Sequence, residues 1–206
     1  MFGLSRTPGN STLFLGSSLL TSDTWQSYAV PQGATMLEIL AVGGGGAGGS
    51  GFTGAASSAR GGGGGGGSGS ITRLLIPTFC LPEVLYVLPG RGAVGIAGSP
   101  TRVAVAPQTG SQYSIVHANN GGLGGTGSAT AGGTAGAAGS IATVAISGPY
   151  SSLGQWTAIA GQAGAAGGAQ TGAGGAALQL TAPQFEALVV GLPWQRLGEL
   201  QVIQRA

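Results

Sequence analysis

Lysine does not occur anywhere in the 206 residues, and histidine and cysteine occur once each. Without lysine the chain cannot carry a Walker loop, whose phosphate contact that side chain makes. One His (His117) and one Cys (Cys80) cannot build a zinc centre, and no EF-hand spacing of acids is present, so neither metal nor other cofactor is expected. Cys80 cannot pair within the chain. In the apolar run Thr78-Phe79-Cys80-Leu81 it reads as a small buried hydrophobe.

Charge is scarce too, at 6% of residues against about a quarter in an ordinary globular protein. All seven basic residues are arginines spread singly along the chain, so the pI near 9.1 reflects a shortage of acids. A nucleic-acid binder gathers its cations on one face to displace counterions from phosphates, and no such cluster exists here. The acids are Asp23, Glu38, Glu83, Glu186 and Glu199. They offer His117 little for acid–base work, and no Gly-x-Ser-x-Gly elbow presents a serine nucleophile, so the chain is expected not to be an enzyme.

Long apolar runs are missing as well. No stretch approaches the ~18 uninterrupted apolar residues of a membrane span. The short apolar stretch from Thr12 to Leu20 follows a single arginine, Arg6, and precedes no clear cleavage site. The expectation is a soluble chain made in a cytoplasm, without membrane insertion.

What is abundant is glycine: 45 residues, concentrated in tracts at about 43–69, 121–139 and 161–175, with none of the ten prolines inside them. A hydrophobic share of 42% and a net charge of +2 do not suit ordinary disorder. The tracts have a spacing. Counted in threes, glycine stands at Gly45, Gly48, Gly51 and Gly54, then at Gly121, Gly124, Gly127, Gly133, Gly136 and Gly139, then at Gly161, Gly164 and Gly167. Three is the period of the polyproline-II helix, and only glycine fits where such helices touch closely. Collagen is excluded by the missing prolines and the interruption at Thr130.

The tracts are therefore expected to pack as polyglycine-II-like helices, within the chain or between copies, with lateral backbone bonds offsetting the entropy lost in ordering glycine. Gly61 to Gly67 has no period, and for that run a flexible Gly/Ser linker stands beside the packed reading. Gly124→Val or Gly164→Val is expected to disturb assembly.

Between the tracts, runs of β-branched and apolar residues bounded by Gly and Pro predict strands at 26–31, 35–42, 70–76, 83–88, 101–106, 111–116 and 141–147. In the second of these, Leu37, Ile39 and Ala41 point inward, while Glu38 shares the other face with Met36 and Leu40; Arg73 marks an outer face in the third. The fold class expected is all-β, an antiparallel β-sandwich or jelly-roll-like core with long glycine-rich excursions. The chain divides into an N-terminal arm (1–24), a glycine-rich β domain (25–180) and a C-terminal docking or oligomerisation segment (181–206).

The G-x-G-x-x-G match at Gly90–Gly95 is read as a turn, because no helix pattern follows it. His117 reads as a hydrogen-bonded loop residue at a strand end. The irregularly spaced aromatics read as core or interface anchors, with sugar stacking as the sharper alternative; Phe14, Trp25, Trp156, Phe185 and Trp194 are the interface candidates.

The run from Trp25 to Val42, WQSYAVPQGATMLEILAV, followed by GGGGAGGSG, resembles the glycine-rich domain of tailed-bacteriophage tail and virion proteins, where a W-x-V-P-x-G-x-T opening leads into a strand and a polyglycine loop. Gly61–Gly67, then Val84-Leu85-Tyr86-Val87 and Gly90-Arg91-Gly92, is similar to the second half of that pattern, except that Pro89 stands where valine is commoner. A looser likeness is to the tip adhesins of phage long tail fibres, whose polyglycine helices pack in layers. The resemblance implies a virion location, homotrimeric assembly, contacts with other virion proteins and no catalysis. A tail-fibre or tail-associated component would meet a host surface receptor or glycan; a capsid decoration or head-fibre protein is the alternative, and a secreted glycine-rich matrix protein a distant one.

Overall fold

The computed structural model describes residues 24–54, 60–92, 94–141 and 150–169, with Thr12 and Phe14. The C-terminal segment with Phe185 and Trp194, most of the N-terminal arm, and the strand expected at 141–147 beyond Ile141 lie outside the described residues.

Seven strands form two antiparallel sheets among these residues. One sheet holds β1 (Gln26–Ala29), β4 (Val84–Leu88), β5 (Thr101–Ala104) and β6 (Ser114–Ala118) in that order. The other holds β2 (Met36–Val42), β3 (Ile71–Pro77) and β7 (Gln155–Ile159). Leu37, Ile39, Ala41, Leu74 and Ile76 of the second sheet share one core cluster with Tyr28, Leu85, Val87, Val103, Val116 and Ala118 of the first. The alternation seen in the sequence is thus used to build an all-β sandwich.

On the outer face of β2 and β3, Arg73 Nε–H donates to Glu38 Oε1 at 2.5 Å. The two sit diagonally, since Glu38 pairs with Leu75 and Arg73 with Leu40.

Three local expectations change. The strand expected at 111–116 begins only at Ser114, because Ser111–Tyr113 closes a 3₁₀ turn with the Tyr113 N–H on the Gly110 carbonyl. The strand at 101–106 stops at Ala104, beside the register shift at Val103/Ala104. And Gln155–Ile159 is a strand outside the seven expected runs, five residues preceded by the short helix α1 (Tyr150–Leu153).

The connections sort to opposite ends. Strands β2, β3, β6 and β7 open into or out of glycine tracts at one end. Short turns at 30–35, 78–83 and 105–113 close the other. In the first of these, Ala34 N–H reaches the Pro31 carbonyl at 3.3 Å across Gly33, whose φ of +79° is the conformation a type II turn asks of glycine at its third position.

Candidate functional site

The glycine tracts are five extended segments packed side by side: I (43–54), II (61–70), III (119–128), IV (131–139) and V (160–168). Their backbone bonds repeat every third residue. Gly43, Gly46, Gly49 and Phe52 donate to Ser70, Gly67, Gly64 and Gly61, so I and II run antiparallel. Gly61, Gly64, Gly67 and Ser70 donate in turn to Ser128, Gly125, Gly122 and Asn119 of segment III. Gly62, Gly65 and Ser68 donate to Gly168, Ala165 and Gln162 of segment V, and accept from Gly133, Gly136 and Gly139 of segment IV.

The outer segments also bond one another: III to I, III to IV and V to IV, again in threes, at 2.7–3.0 Å throughout. Three residues per turn, with Gly33 and Gly95 the only glycines at positive φ among the described residues, is a left-handed polyglycine-II arrangement. Segment II is its hub, touching the other four.

The Cβ atoms that glycine lacks explain the composition. In the outer segments, a Cβ at Gly121, Gly124, Gly127, Gly133, Gly136, Gly139, Gly161, Gly164 or Gly167 would lie 1.9–2.7 Å from a neighbouring backbone atom. These nine sequence-selected positions therefore sit at close contacts. Segment I is different. There the crowded row is Gly43, Gly46 and Gly49, at 1.9–2.0 Å from carbonyl oxygens, whereas a Cβ on Gly45, Gly48 or Gly51 would meet nothing nearer than 3.4–3.6 Å. Gly54 accepts a bond from Arg60 Nη2 at 3.1 Å.

The run with no period, Gly61–Gly67, is the most enclosed. A Cβ at Gly61, Gly63, Gly64, Gly66 or Gly67 would fall 1.9–2.0 Å from a carbonyl oxygen of segment I or IV. The flexible-linker alternative for this run is thereby set aside. The missing period has a physical reason: two rows of this helix, 61/64/67 and 63/66, are crowded at once, so no single spacing of three stands out.

At the opposite end, Phe79 is 87% exposed on a 3₁₀ turn, Thr78–Cys80. That turn is clamped. Thr78 N–H reaches the Thr35 carbonyl at 3.1 Å, Thr78 Oγ1–H donates to the Ala34 carbonyl, and Leu81 N–H returns to Thr78 at 3.0 Å. Cys80 and Leu81 pack against the core, so the cysteine is half-buried. In the loop after β5, Val105 N–H bonds the Tyr113 carbonyl at 2.9 Å and an Arg102 guanidinium N–H donates to the Thr109 carbonyl.

Among the interface candidates, Phe14 is buried in the core, edge-on to Tyr28 with ring centres 5.9 Å apart, so it is a packing residue of its own chain. The burial of Tyr28 raises its pKa. Trp25 is half-buried and Trp156 is 45% exposed. His117 is not in a loop but inside β6, opposite Arg102. Its carbonyl accepts from Thr72 Oγ1 at 2.9 Å, and burial, with the Arg102 charge second, lowers its pKa to about 4. Gly90–Gly95 forms the loop after β4. There Gly90 N–H bonds Thr101 Oγ1 at 2.8 Å and Arg91 N–H bonds Ser99 Oγ at 2.9 Å. No group of His, Cys, Asp and Glu suited to a metal occurs among the described residues, and no helix among them is long and apolar enough to cross a membrane.

A protein-family model described as a glycine-rich domain matches residues 21–191. The chain belongs to the glycine-rich domain family. That match spans both sheets and all five segments of the bundle. No match was found among curated proteins or among solved structures.

Proposed function

We propose that this glycine-rich domain protein is a structural component of a tailed-bacteriophage particle, a tail-fibre or tail-associated protein that displays short loops for host attachment. The observation that carries the proposal is the two-ended build. At one end, five segments are tied by main-chain bonds at every turn; at the other, clamped turns present Phe79. A lattice of this kind cannot bend without breaking several bonds together, so it suits a rigid support. The distal turns suit contact, since an aromatic side chain held on an anchored backbone loses little freedom on meeting a receptor or a sugar ring. The Trp25–Gly51 likeness to phage virion proteins points the same way.

In this reading the chain works by assembling with copies of itself and with other virion proteins, and performs no catalysis. Cryo-EM of the particle that carries the chain is the test. Density on the tail or its fibres is the expected result. Density on the capsid would replace host attachment with shell decoration, and no density in the particle would overturn the proposal.

A further inference from the structure

We infer that the free edge of β7 is a self-association site, where two copies of this chain pair their Gln155–Ile159 strands antiparallel across a two-fold axis. Of the four strands at sheet edges among the described residues, β7 is the most exposed. Four of its five residues are exposed, whereas β2 and β6, edges of their sheets, have no exposed residue, and β1 is four residues long with two exposed.

On one side β7 pairs with β3, Leu74 facing Trp156 and Arg73 facing Thr157. On its other side, no described residue bonds to its backbone. An open strand of this kind usually carries a charge, a proline or a bulge that keeps other chains away. QWTAI has none of these.

The strand is also complementary to itself. In an antiparallel pair centred on Thr157, that residue faces its own copy, Trp156 faces Ala158 of the second copy, and Gln155 faces Ile159. Each large ring thus meets a small side chain, and no like charges oppose each other. Pairing would join the two three-stranded sheets into one continuous sheet. It would also cover Trp156 and Ile159, which are 45% and 37% exposed, and bring the 44%-exposed Leu153 of α1 to the margin of the contact.

A two-fold contact of this kind makes even-numbered assemblies, in contrast to the trimer implied by the phage resemblance. The inference rests on the self-association read above but not on the virion location. A chain missing from the particle would leave the edge contact standing, and a monomer in solution would remove the contact without touching the location.

Sedimentation velocity of the full chain at micromolar concentration tests it. A dimer is expected for the wild type. Thr157→Lys places two like charges face to face and should weaken association by about thirtyfold or more, as should Thr157→Glu. Mixing the two variants should restore a dimer, because Lys then faces Glu. Unchanged far-ultraviolet circular dichroism shows that each variant is folded; should either unfold, amide exchange in wild-type β7 that slows with rising protein concentration is the result expected in its place. A wild-type monomer, an odd-numbered oligomer, variants that associate as the wild type does, or β7 exchange independent of concentration would each overturn the inference.

Discussion

Segments II and IV of the bundle share an extended backbone and the same lateral bonding, yet one is glycine at every position from 61 to 67 and the other reads Ala-Gly-Gly-Thr-Ala-Gly-Ala-Ala-Gly from 131 to 139. The difference lies in how many sides are covered. Segment II is surrounded, and a Cβ at Gly61, Gly63, Gly64, Gly66, Gly67 or Gly69 would fall 1.9–2.1 Å from a carbonyl oxygen. Segment IV lies at the rim, so its Gly133, Gly136 and Gly139 are buried while Ala131, Thr134, Ala135, Ala137 and Ala138 face outward. Glycine spacing in such a bundle therefore reports the coordination of each helix. A period of three marks a rim, and the loss of any period marks a centre.

That comparison can be broken most sharply at its centre. Gly64→Val would set a branched side chain against the Thr134 carbonyl, where the contact is backbone and cannot swing aside. A loss above about 4 kcal/mol is expected. Thermal unfolding followed by circular dichroism should show no cooperative transition, and a transition within a few degrees of wild type would mean that the centre is not close-packed.

The sandwich should be more forgiving. Leu74, fully buried between the sheets, can lose its side chain and leave only a cavity. Leu74→Ala is therefore expected to cost about 3 kcal/mol, read as a lower denaturant midpoint with the slope unchanged.

A smaller effect comes from acid. His117 has a pKa of about 4 in the fold against 6.5 ordinarily. The unfolded chain therefore takes up the proton first, and the stability His117 contributes is complete above pH 6.5 and lost as the pH falls toward 4. Since the ring is only part-buried, solvent screening trims the loss to about 1–2 kcal/mol. His117→Gln should flatten the stability profile across that window; an unaltered slope would place the titration elsewhere.

The smallest effect belongs to the loose row of segment I. Gly48→Ala has 3.4 Å to the nearest atom, and its expected change is between zero and a gain of about 1 kcal/mol, from reduced freedom of the unfolded chain. A clear loss of stability would show that this row also packs against something.

The strands were largely legible. Leu37, Ile39 and Ala41 enter the core cluster as a strand period requires, Glu38 and Arg73 marked the face on which they meet, and Leu40 on that outer face is buried as well. β7 was not legible, because five residues carrying Gln, Trp, Thr, Ala and Ile show no clean alternation, and only β3 beside them makes a strand there. The helix rows in segments III, IV and V could be read from spacing alone. In segment I two glycine rows compete, 43/46/49 and 45/48/51, and nothing in the spelling of the chain says that the first is the one pressed against segment III.

By itself the sequence determined the kinds of structure available. Too few charges, one histidine and one cysteine left little site chemistry, alternation made strands, and a period of three made glycine-lined helices. Which helix stands at the centre, which glycine row is crowded, and that Phe14 and His117 belong to the chain's own sheets were decided only by the tertiary structure. The physical reason is that a missing Cβ permits close approach from any side but does not choose the neighbour. That choice falls to the sandwich, which sets where each segment enters the bundle and in which direction it runs.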